Sequence, residues 1–258
     1  MRQFLISQTV SGNEPLRIEG KDYHYLRNVL RLRRGDTFLG RDASGQLYQL
    51  RIDGEKKGTL IVRGEAYTAE NDYREGSPEA YRITLFQCLP KGRKMDLIIR
   101  QATEMGVHKI VPAFSDFTET RLNGKESQRT ARWQRIIREA SQQCGSRRLP
   151  RIMPCVSLAN IAELADDHLG IVFHPDAAPT GGLPSKNLHG LLASARPDID
   201  LFVGPEGGFS PGELKHLVMM GCHSVSLGDT VLRVETAALA ALSAVNVILK
   251  ENRFWTAG

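Results

Sequence analysis

From residue 83 onward, short apolar segments alternate with helix-forming segments, and no other feature of the sequence constrains the fold as strongly. The apolar segments are Ile83–Phe86, Ile110–Ala113, Gly170–Phe173, Ile199–Val203 and Val225–Leu227. Between them, Lys94–Met105 has a helical apolar stripe that ends before Gly106, and a longer helix runs roughly from Ser127 to Cys144. Strands that alternate with helices predict an α/β domain whose parallel sheet is covered on both faces.

The first 72 residues have a different pattern, in which strand-like runs alternate with turns. The predicted strands are Arg17–Glu19, Thr37–Leu39, Leu47–Ile52 and Thr59–Val62, and the predicted turns are Arg34–Asp36, Ala43–Gly45 and Lys57–Gly58. One helix interrupts them: Asp22 is its predicted N-cap, and its apolar stripe contains Tyr25, Leu26, Val29 and Leu30. The pattern predicts a small β-barrel with one helix, followed by a polar linker at residues 71–79.

The charge balance favours a polyanionic partner without proving one. There are 34 lysines and arginines against 29 aspartates and glutamates, which gives a net charge of +5. The four cysteines have no C-x-x-C spacing and the seven histidines have no zinc-binding spacing, so we expect a reduced, cytoplasmic protein without a metal site. No apolar run is long enough for a membrane span; the longest, Ala237–Leu249, predicts a buried helix. The N-terminus lacks the apolar region of a signal peptide.

The strongest local signal is the glycine-rich stretch from Gly204 to Glu213, which directly follows an apolar strand. Glycines at the carboxyl end of a strand in an open α/β sheet allow backbone amides to approach a ligand closely. Ser210 then predicts an N-cap, with Pro211 in the first helical position and Glu213 completing a capping box. The alternative is a tight turn without a ligand. The spacing fits neither a dinucleotide-binding motif nor a P-loop.

A second loop, Leu227–Thr236, leaves another predicted strand and enters an alanine-rich helix. Arg233 and Glu235 are charged residues in an otherwise apolar part of the sequence. Either they act at a functional site, or they form an ion pair that fixes the loop, and the sequence leaves both interpretations open.

Basic residues are concentrated in two places. Between residues 121 and 151, nine lysines and arginines face only Glu126 and Glu139, and Arg132, Arg135 and Arg138 share a helix face because they are three residues apart. The second cluster contains Arg27, Arg31, Arg33 and Arg34. Two such clusters are typical of contact with a phosphate backbone, and the alternative is two solvated surfaces.

Together these residues resemble the RsmE family, the 16S ribosomal RNA uridine N3-methyltransferases of the SPOUT class. The matching stretches are His24–Arg31, Leu89–Gly92 with Lys94–Asp96, Ala102–Val107, Glu139–Gly145, Gly204–Glu213, and Leu232–Arg233 with Glu235–Ala237. They extend over almost the whole chain, and their combination is specific although no single stretch is.

The resemblance implies a PUA-like RNA-binding β-barrel at residues 1–72 and a SPOUT methyltransferase domain at residues 73–258 with a C-terminal trefoil knot. It also implies a homodimer whose RNA site draws on both subunits. Three loops would hold the cofactor S-adenosyl-L-methionine (SAM). They contain His174 and Pro175; Gly204, Pro205, Glu206, Gly207 and Gly208; and Leu227, Gly228, Leu232 and Arg233.

The implied reaction is methylation of uracil N3 in 16S rRNA, within the small ribosomal subunit. Arg100 lies in a segment that resembles the helix bearing the catalytic arginine of the SpoU ribose methyltransferases, so Arg100, Arg233 and the arginines after Cys144 are candidates to stabilise a uracil anion. Glu139, Glu206 and Glu235 are candidate proton acceptors or orienting groups. For each of them a structural ion pair stays open. The implied RNA-binding residues are Arg27, Arg31, Arg33, Arg34, Lys91, Arg132, Arg135, Arg147 and Arg148.

The chain departs from the family pattern at two points. Thr230 stands where the family commonly has a basic residue, and Ser146 separates Cys144–Gly145 from Arg147 and Arg148, so either arginine could take the family role. The alternative functions are methylation of another RNA position, including a ribose hydroxyl, and a non-catalytic RNA-binding factor for ribosome assembly. A nucleotide-dependent dehydrogenase is a more distant alternative because the glycine spacing does not fit one.

Overall fold

The computed structural model describes residues 4–6, 10, 14–42, 46–67, 81–119, 124, 126–146, 149–161, 168–175, 187–193 and 198–255, with side chains to residue 252. The chain divides into two compact units. The first consists of residues 1–77 with 141–148, and the second of residues 78–140 with 149–258. The predicted linker at 71–79 and the predicted turn at Ala43–Gly45 lie outside the described residues.

The first unit contains a sheet of five strands in its described part. They are β1 (Phe4–Leu5), β2 (Leu16–Ile18), β3 (Thr37–Arg41), β4 (Leu47–Lys56) and β5 (Thr59–Ala66). Their order in the sheet is β1-β3-β4-β5-β2; β1 is parallel to β3, and the other pairs are antiparallel. Lys57 and Gly58 form the predicted turn between β4 and β5, both with positive φ. The sequence predicted four of these strands and missed β1, which has only two residues.

The helix of this unit differs from the prediction. Helix α1 (Gly20–His24) begins before Asp22, so Asp22 lies in the first turn and Glu19 occupies the N-cap position. The chain continues as a π-helical turn, Tyr25–Val29, in which the Leu30 amide bonds to the Tyr25 carbonyl. The wider turn changes the angular spacing of the side chains. Leu26 is therefore fully buried, whereas Val29, predicted on the same apolar face, is 58% exposed.

The second unit contains a sheet of seven parallel strands in its described part. They are β6 (Arg82–Cys88), β7 (Lys109–Phe114), β8 (Arg151–Ile152), β9 (Val156–Ser157), β10 (His168–Phe173), β11 (Asp198–Val203) and β12 (His223–Val225). Their order is β12-β10-β11-β6-β7-β8, and β9 also pairs with β7. The predicted α/β fold with a parallel sheet is confirmed.

Five α-helices of the described ranges cover this sheet. They are α2 (Lys94–Glu104), α3 (Glu126–Cys144), α4 (Leu188–Ala193), α5 (Pro211–Met219) and α6 (Val234–Trp255). Consecutive residues of β11 point to opposite faces of the sheet and belong to two different hydrophobic cores. Leu201 packs in the core that contains Ile98 of α2 and Leu242 of α6. Phe202 packs in the core that contains Leu217 of α5. The sheet is thus covered on both faces, as predicted.

Local signals at the end of α2 and at the start of α5 were predicted correctly from the sequence. Gly106 has φ +77° directly after the end of α2, as predicted for the residue that follows a helix C-cap. Ser210 caps α5, and the predicted capping box with Glu213 is present. Of the helices in the described ranges, none combines the length and apolarity that crossing a bilayer requires.

The prediction for the last strand was wrong by two residues. Residues 225–227 were expected to form it, but β12 is His223–Val225. The Ser226 hydroxyl donates a hydrogen bond to the Gly228 carbonyl and accepts one from the Gly228 amide. This local turn uses hydrogen-bonding groups that a strand would direct to its neighbour, so the strand ends at Val225.

Candidate cofactor site

The three loops that the sequence singled out begin side by side at one edge of the parallel sheet. Strand β10 lies between β12 and β11, and Phe173, the last residue of β10, is in register with Val203 of β11 and Val225 of β12. The chain leaves these strands at His174, Gly204 and Ser226. The carboxyl edge of an open α/β sheet is where such folds bind ligands, so the topology brings the predicted loops together at a suitable place.

The glycine loop after β11 folds back tightly on itself. The Gly208 amide donates to the Pro205 carbonyl over 2.9 Å, and Gly208 has φ +69°. A Cβ atom on Gly204 would lie 3.1 Å from Gly208 Cα. A side chain at position 204 would press on the backbone of Gly208, and the positive φ of Gly208 disfavours any residue with a Cβ, so both positions favour glycine.

The loop after β10 is tied to both of its neighbours. The His174 amide donates to the Val225 carbonyl over 3.1 Å. A Cβ atom built on Gly208 would lie 4.0 Å from His174 Nε2, so the imidazole faces the glycine loop. Pro175, which follows, is exposed.

The third loop runs from Ser226 to Arg233 and is exposed over much of its length. Leu227 is half-buried against the core, whereas Val231 is 81% exposed. Gly228 has φ +137°, a conformation that disfavours other residues. The loop ends where Val234 is buried and α6 begins.

Arg233 and Glu235 flank that helix start, and they do not form the ion pair that the sequence left open. Arg233 is exposed, and its carbonyl accepts the first helical hydrogen bond, from the Ala237 amide over 2.8 Å. Glu235 is half-buried, and its Oε2 is a buried oxygen for which the described residues supply no hydrogen-bond partner. A buried carboxylate oxygen without a partner is costly, so this position suits a cationic or hydrogen-bonding ligand.

Glu206, in contrast, is fully engaged with the β6–α2 connection. Its carboxylate accepts a hydrogen bond from the Lys91 amide over 3.2 Å and from Lys94 Nζ over 2.6 Å. Burial acts to raise the pKa of Glu206, but the hydrogen bonds from Lys94 and from backbone amides outweigh it and hold this pKa below its ordinary value. Glu206 is therefore a poor proton acceptor, and it anchors the glycine loop to the segment Lys91–Lys94.

Two further residues support the glycine loop, and the sequence interpretation missed Gln87 entirely and the long-range partner of Glu213. Gln87, at the end of β6, is fully buried, and its Nε2 lies 3.4 Å from the Val203 and Gly204 carbonyls. Glu213 not only closes the capping box but also accepts a hydrogen bond from the Asp116 amide, 97 residues away in sequence. A polar residue inside an apolar strand was a signal for Gln87; no sequence signal indicated the second partner of Glu213.

The predicted catalytic residues Arg100 and Glu139 lie on exposed helix faces. Arg100 is on α2, and Glu139 is on α3, where it pairs with Arg135 over 3.7 Å. In the part of the chain that the structure describes, no hydrogen bond or ion pair joins either residue to the three loops. Their catalytic roles stay predictions, and Arg147 and Arg148 lie outside the described residues.

Several predicted RNA-binding residues have acidic partners that the sequence did not reveal. Arg27 pairs with Glu55 over 3.1 Å, Arg132 with Asp96, and Lys91 with Glu119 over 2.7 Å. Three other members of this set, Arg31, Arg33 and Arg34, are exposed. The positive surfaces are thus partly neutralised by carboxylates from distant parts of the sequence.

Cysteine chemistry and metal binding have no support among the described residues. No group of three or more His, Cys, Asp or Glu side chains in those ranges is arranged to hold a metal ion. Burial raises the pKa of Cys222 to about 12 and that of Cys155 to about 11, and it raises the pKa of Cys88 further, so these thiols are inert at neutral pH.

A parallel sheet with three adjoining loops at its carboxyl edge, one of them glycine-rich, defines an α/β protein with a loop-built cofactor site. Residues 77–246 match the RNA methyltransferase domain family, and the chain belongs to that family. The resemblance to RsmE is confirmed.

Similar proteins extend over nearly the whole chain. Ribosomal RNA small subunit methyltransferase E of Bacillus subtilis is 28% identical over 94% of this chain and 93% of its own length. A protein of Legionella pneumophila classed as a methyltransferase, solved in complex with SAM, has a similar structure, with a TM-score of 0.81 and 26% identity over 95% of this chain and 96% of its own. The ribosomal RNA small subunit methyltransferase E of Neisseria gonorrhoeae, at 24% identity over 96% of this chain and 98% of its own, has the same fold with a TM-score of 0.79.

Proposed function

We propose that this protein transfers the methyl group of SAM to N3 of a specific uridine in 16S ribosomal RNA of the small subunit. The observation that carries the proposal is the meeting of the His174, Gly204–Gly208 and Leu227–Arg233 loops at one sheet edge. The chain belongs to a family of RNA methyltransferases, and its relative in Bacillus is named for methylation of small-subunit rRNA. The Legionella protein of similar structure binds SAM.

The residues at the edge fit SAM chemically. SAM is a sulfonium cation with a carboxylate, an amine and an adenine base, and when bound it supplies an electrophilic methyl group. The glycine loop offers backbone groups without obstructing side chains, because Gly204 lies against the backbone of Gly208, and Gly208 has a positive φ that favours glycine. The unpartnered Oε2 of Glu235 offers a negative charge in the first turn of α6, directly after the third loop. These residues, with His174, Pro175, Leu227 and Leu232, would hold the cofactor.

Methylation of N3 requires a group that receives the N3 proton and a group that stabilises negative charge on the uracil oxygens. Among the candidate acceptors, Glu206 is paired with Lys94, and Glu139 is paired with Arg135 on an exposed helix. Glu235 has an oxygen free to accept a proton and lies in the same loop region as Arg233. We assign Glu235 to hold the proton and Arg233 to stabilise the uracil anion.

The finer features of the fold are also proposals. The five-stranded sheet and exposed arginines of the first unit are consistent with a PUA-like RNA-binding barrel. The C-terminal region of the second unit would form the SPOUT trefoil knot. Two exposed apolar side chains support a homodimer: Leu97 on α2 is 40% exposed, and Val247 on α6 is 53% exposed. The two helices pack together, and a second copy of the chain would cover both side chains.

The test combines cofactor binding with product analysis. The purified protein is titrated with SAM by calorimetry and then incubated with small ribosomal subunits from cells that lack this activity, and the rRNA nucleosides are analysed. We expect SAM binding and N3-methyluridine. Arg233→Ala should abolish methylation with the fold intact, whereas Lys250→Ala, an exposed change on the same helix, should not.

Each alternative function predicts a different result. A ribose-methylated nucleoside would indicate another RNA position. RNA binding without SAM binding would indicate a non-catalytic assembly factor, and full activity of Arg233→Ala would remove Arg233 from the mechanism.

A further inference from the structure

A cavity of about 180 Å³ lies beside the β6–α2 connection, the segment whose Lys91 amide bonds to Glu206. It is lined by Arg93, Arg129 and Arg132, with Asp96 as its acidic residue, and its apolar wall includes Met95 and Trp133. We name it the arginine pocket. A single water occupies about 30 Å³, so the arginine pocket has room for a larger group.

The charges of the arginine pocket are arranged to favour an anion. Asp96 is committed to Arg132, with which it forms a hydrogen-bonded ion pair that fixes the orientation of that guanidinium. Within the described residues, Arg93 and Arg129 have no hydrogen bond or ion pair with a carboxylate. Three arginines and one carboxylate therefore line the same cavity. Guanidinium groups match the geometry of phosphate oxygens and bind them in bidentate fashion.

The apolar wall narrows the choice of anion. Trp133 is only 3% exposed and Met95 only 4%, so they form a rigid wall and not a flexible surface. A ribose–phosphate unit has an apolar sugar face next to its charged phosphate, and it matches a cationic rim beside such a wall.

The arginine pocket is directly connected to the proposed cofactor site. The segment Lys91–Lys94 donates to Glu206 of the glycine loop through the Lys91 amide and Lys94 Nζ, and the neighbouring Gly92 and Arg93 line the pocket. A nucleotide held in the pocket would thus lie one chain segment away from the loop proposed to bind SAM.

We propose that the arginine pocket binds a backbone phosphate of the RNA strand next to the target uridine, and that Arg93 and Arg129 are its principal ligands. This inference rests on the proposed function. Phosphate contacts set the register of a protein on nucleic acid, so the pocket would position the target base without reading the sequence.

The test measures methyl transfer to small ribosomal subunits at several salt concentrations for the wild type, Arg129→Gln and Arg93→Gln. Each variant should raise the KM for the subunit about tenfold, because a hydrogen-bonded charged contact is lost, with little change in kcat. The dependence of log KM on log salt concentration should become shallower by about 0.7–0.9, the value of one phosphate contact. The affinity for SAM, measured by calorimetry, should not change and reports that the variants are folded.

Two further variants make the test specific. Arg129→Lys keeps the charge and should keep the wild-type salt dependence, although it weakens binding. Arg138→Gln removes the same charge from an exposed position of α3 outside the pocket and should leave KM close to that of the wild type.

The outcomes separate this proposal from the proposed function. Equal increases in KM for Arg138→Gln and Arg129→Gln would mean diffuse electrostatic attraction and would overturn the proposal. Wild-type KM values in both pocket variants would also overturn it, and so would a loss of SAM affinity in those variants. Failure of the proposed function would be visible separately, as a wild-type protein that methylates no RNA.

Discussion

Phe117 closes the space beside Gly207: a Cβ atom on Gly207 would lie 2.9 Å from Phe117 Cβ, closer than real side chains approach. The turn that carries Phe117 is held by the Thr118 amide, which donates to the Ser115 carbonyl over 3.0 Å, and by the neighbouring Asp116 amide, which donates to Glu213. Neither side of the contact can therefore move without cost.

We predict that Gly207→Ala lowers SAM affinity about tenfold or more, because the glycine loop must shift to relieve the contact. Phe117→Ala in the same chain should restore part of the loss, and the coupling between the two changes should be about 1 kcal/mol or more. Calorimetric titration with SAM measures both. Gly212→Ala is the control, since its Cβ would meet nothing closer than 3.8 Å; an equal loss there would show that the Phe117 contact is not the cause.

Glu213 accepts hydrogen bonds from two backbone amides, those of Ser210 and Asp116, with its side chain buried. In Glu213→Gln one of these amides would face the NH₂ group and lose its acceptor. We expect the free energy of unfolding in urea to fall by about 1–3 kcal/mol and SAM affinity to fall as the loop loosens. Glu104→Gln, on an exposed position of α2, should change neither by more than about 0.5 kcal/mol.

Because Oε2 of Glu235 is buried without a hydrogen-bond partner among the described residues, we predict that replacing this carboxylate affects stability and SAM binding differently. Glu235→Gln removes an uncompensated charge, so the free energy of unfolding without SAM should stay within about 1 kcal/mol of the wild type or rise. SAM affinity should fall about tenfold, because the cation loses a negative partner. Urea unfolding and calorimetry measure the two quantities. Wild-type affinity in Glu235→Gln would contradict the proposal that Glu235 is a negative partner of SAM, and Glu251→Gln on the same helix is the control.

Asp198 lies at the opposite end of β11 from the site, where Arg82 binds it through two hydrogen bonds. These bonds lower the pKa of Asp198 and outweigh the effect of its burial. A lowered pKa in the folded state stabilises the fold above the unfolded value of about 3.8, and this contribution is lost as the pH falls through the folded-state pKa.

We therefore predict that Arg82→Gln destabilises the protein by about 1–2 kcal/mol at neutral pH, a range that allows for the half-exposed Arg82 side chain. The difference from the wild type should shrink well below pH 3.8. Urea unfolding at both pH values measures it, with the exposed Arg151→Gln as control. A difference that stays constant with pH would mean that the Arg82–Asp198 pair does not cause it.

Local chemistry made part of the fold predictable. The Ser210–Glu213 capping box and Gly106 after α2 depend on a few adjacent residues, so the sequence alone was sufficient to find them. The family resemblance implied that three loops share one site, and their strands bring them together because parallel strands share a carboxyl edge.

Long-range contacts account for what the sequence did not predict. Nothing local indicates that Asp116 binds Glu213, that Glu55 neutralises Arg27, or that β11 pairs with β6 and not with the next strand after it in sequence. The early end of β12 depends on one hydroxyl group, and the π-helical turn after α1 depends on its surroundings. Each of these is decided by groups that meet only in the folded chain.

The order β12-β10-β11-β6 has a consequence for how the protein is made. Strand β6 is synthesised more than a hundred residues before its neighbour β11, and the three site loops all come from residues 174–233. A nascent chain that stops before α6 has no complete cofactor edge, whatever else has already folded. The loop edge proposed to bind SAM is therefore assembled only after the residues up to Arg233 and the start of α6 have been synthesised.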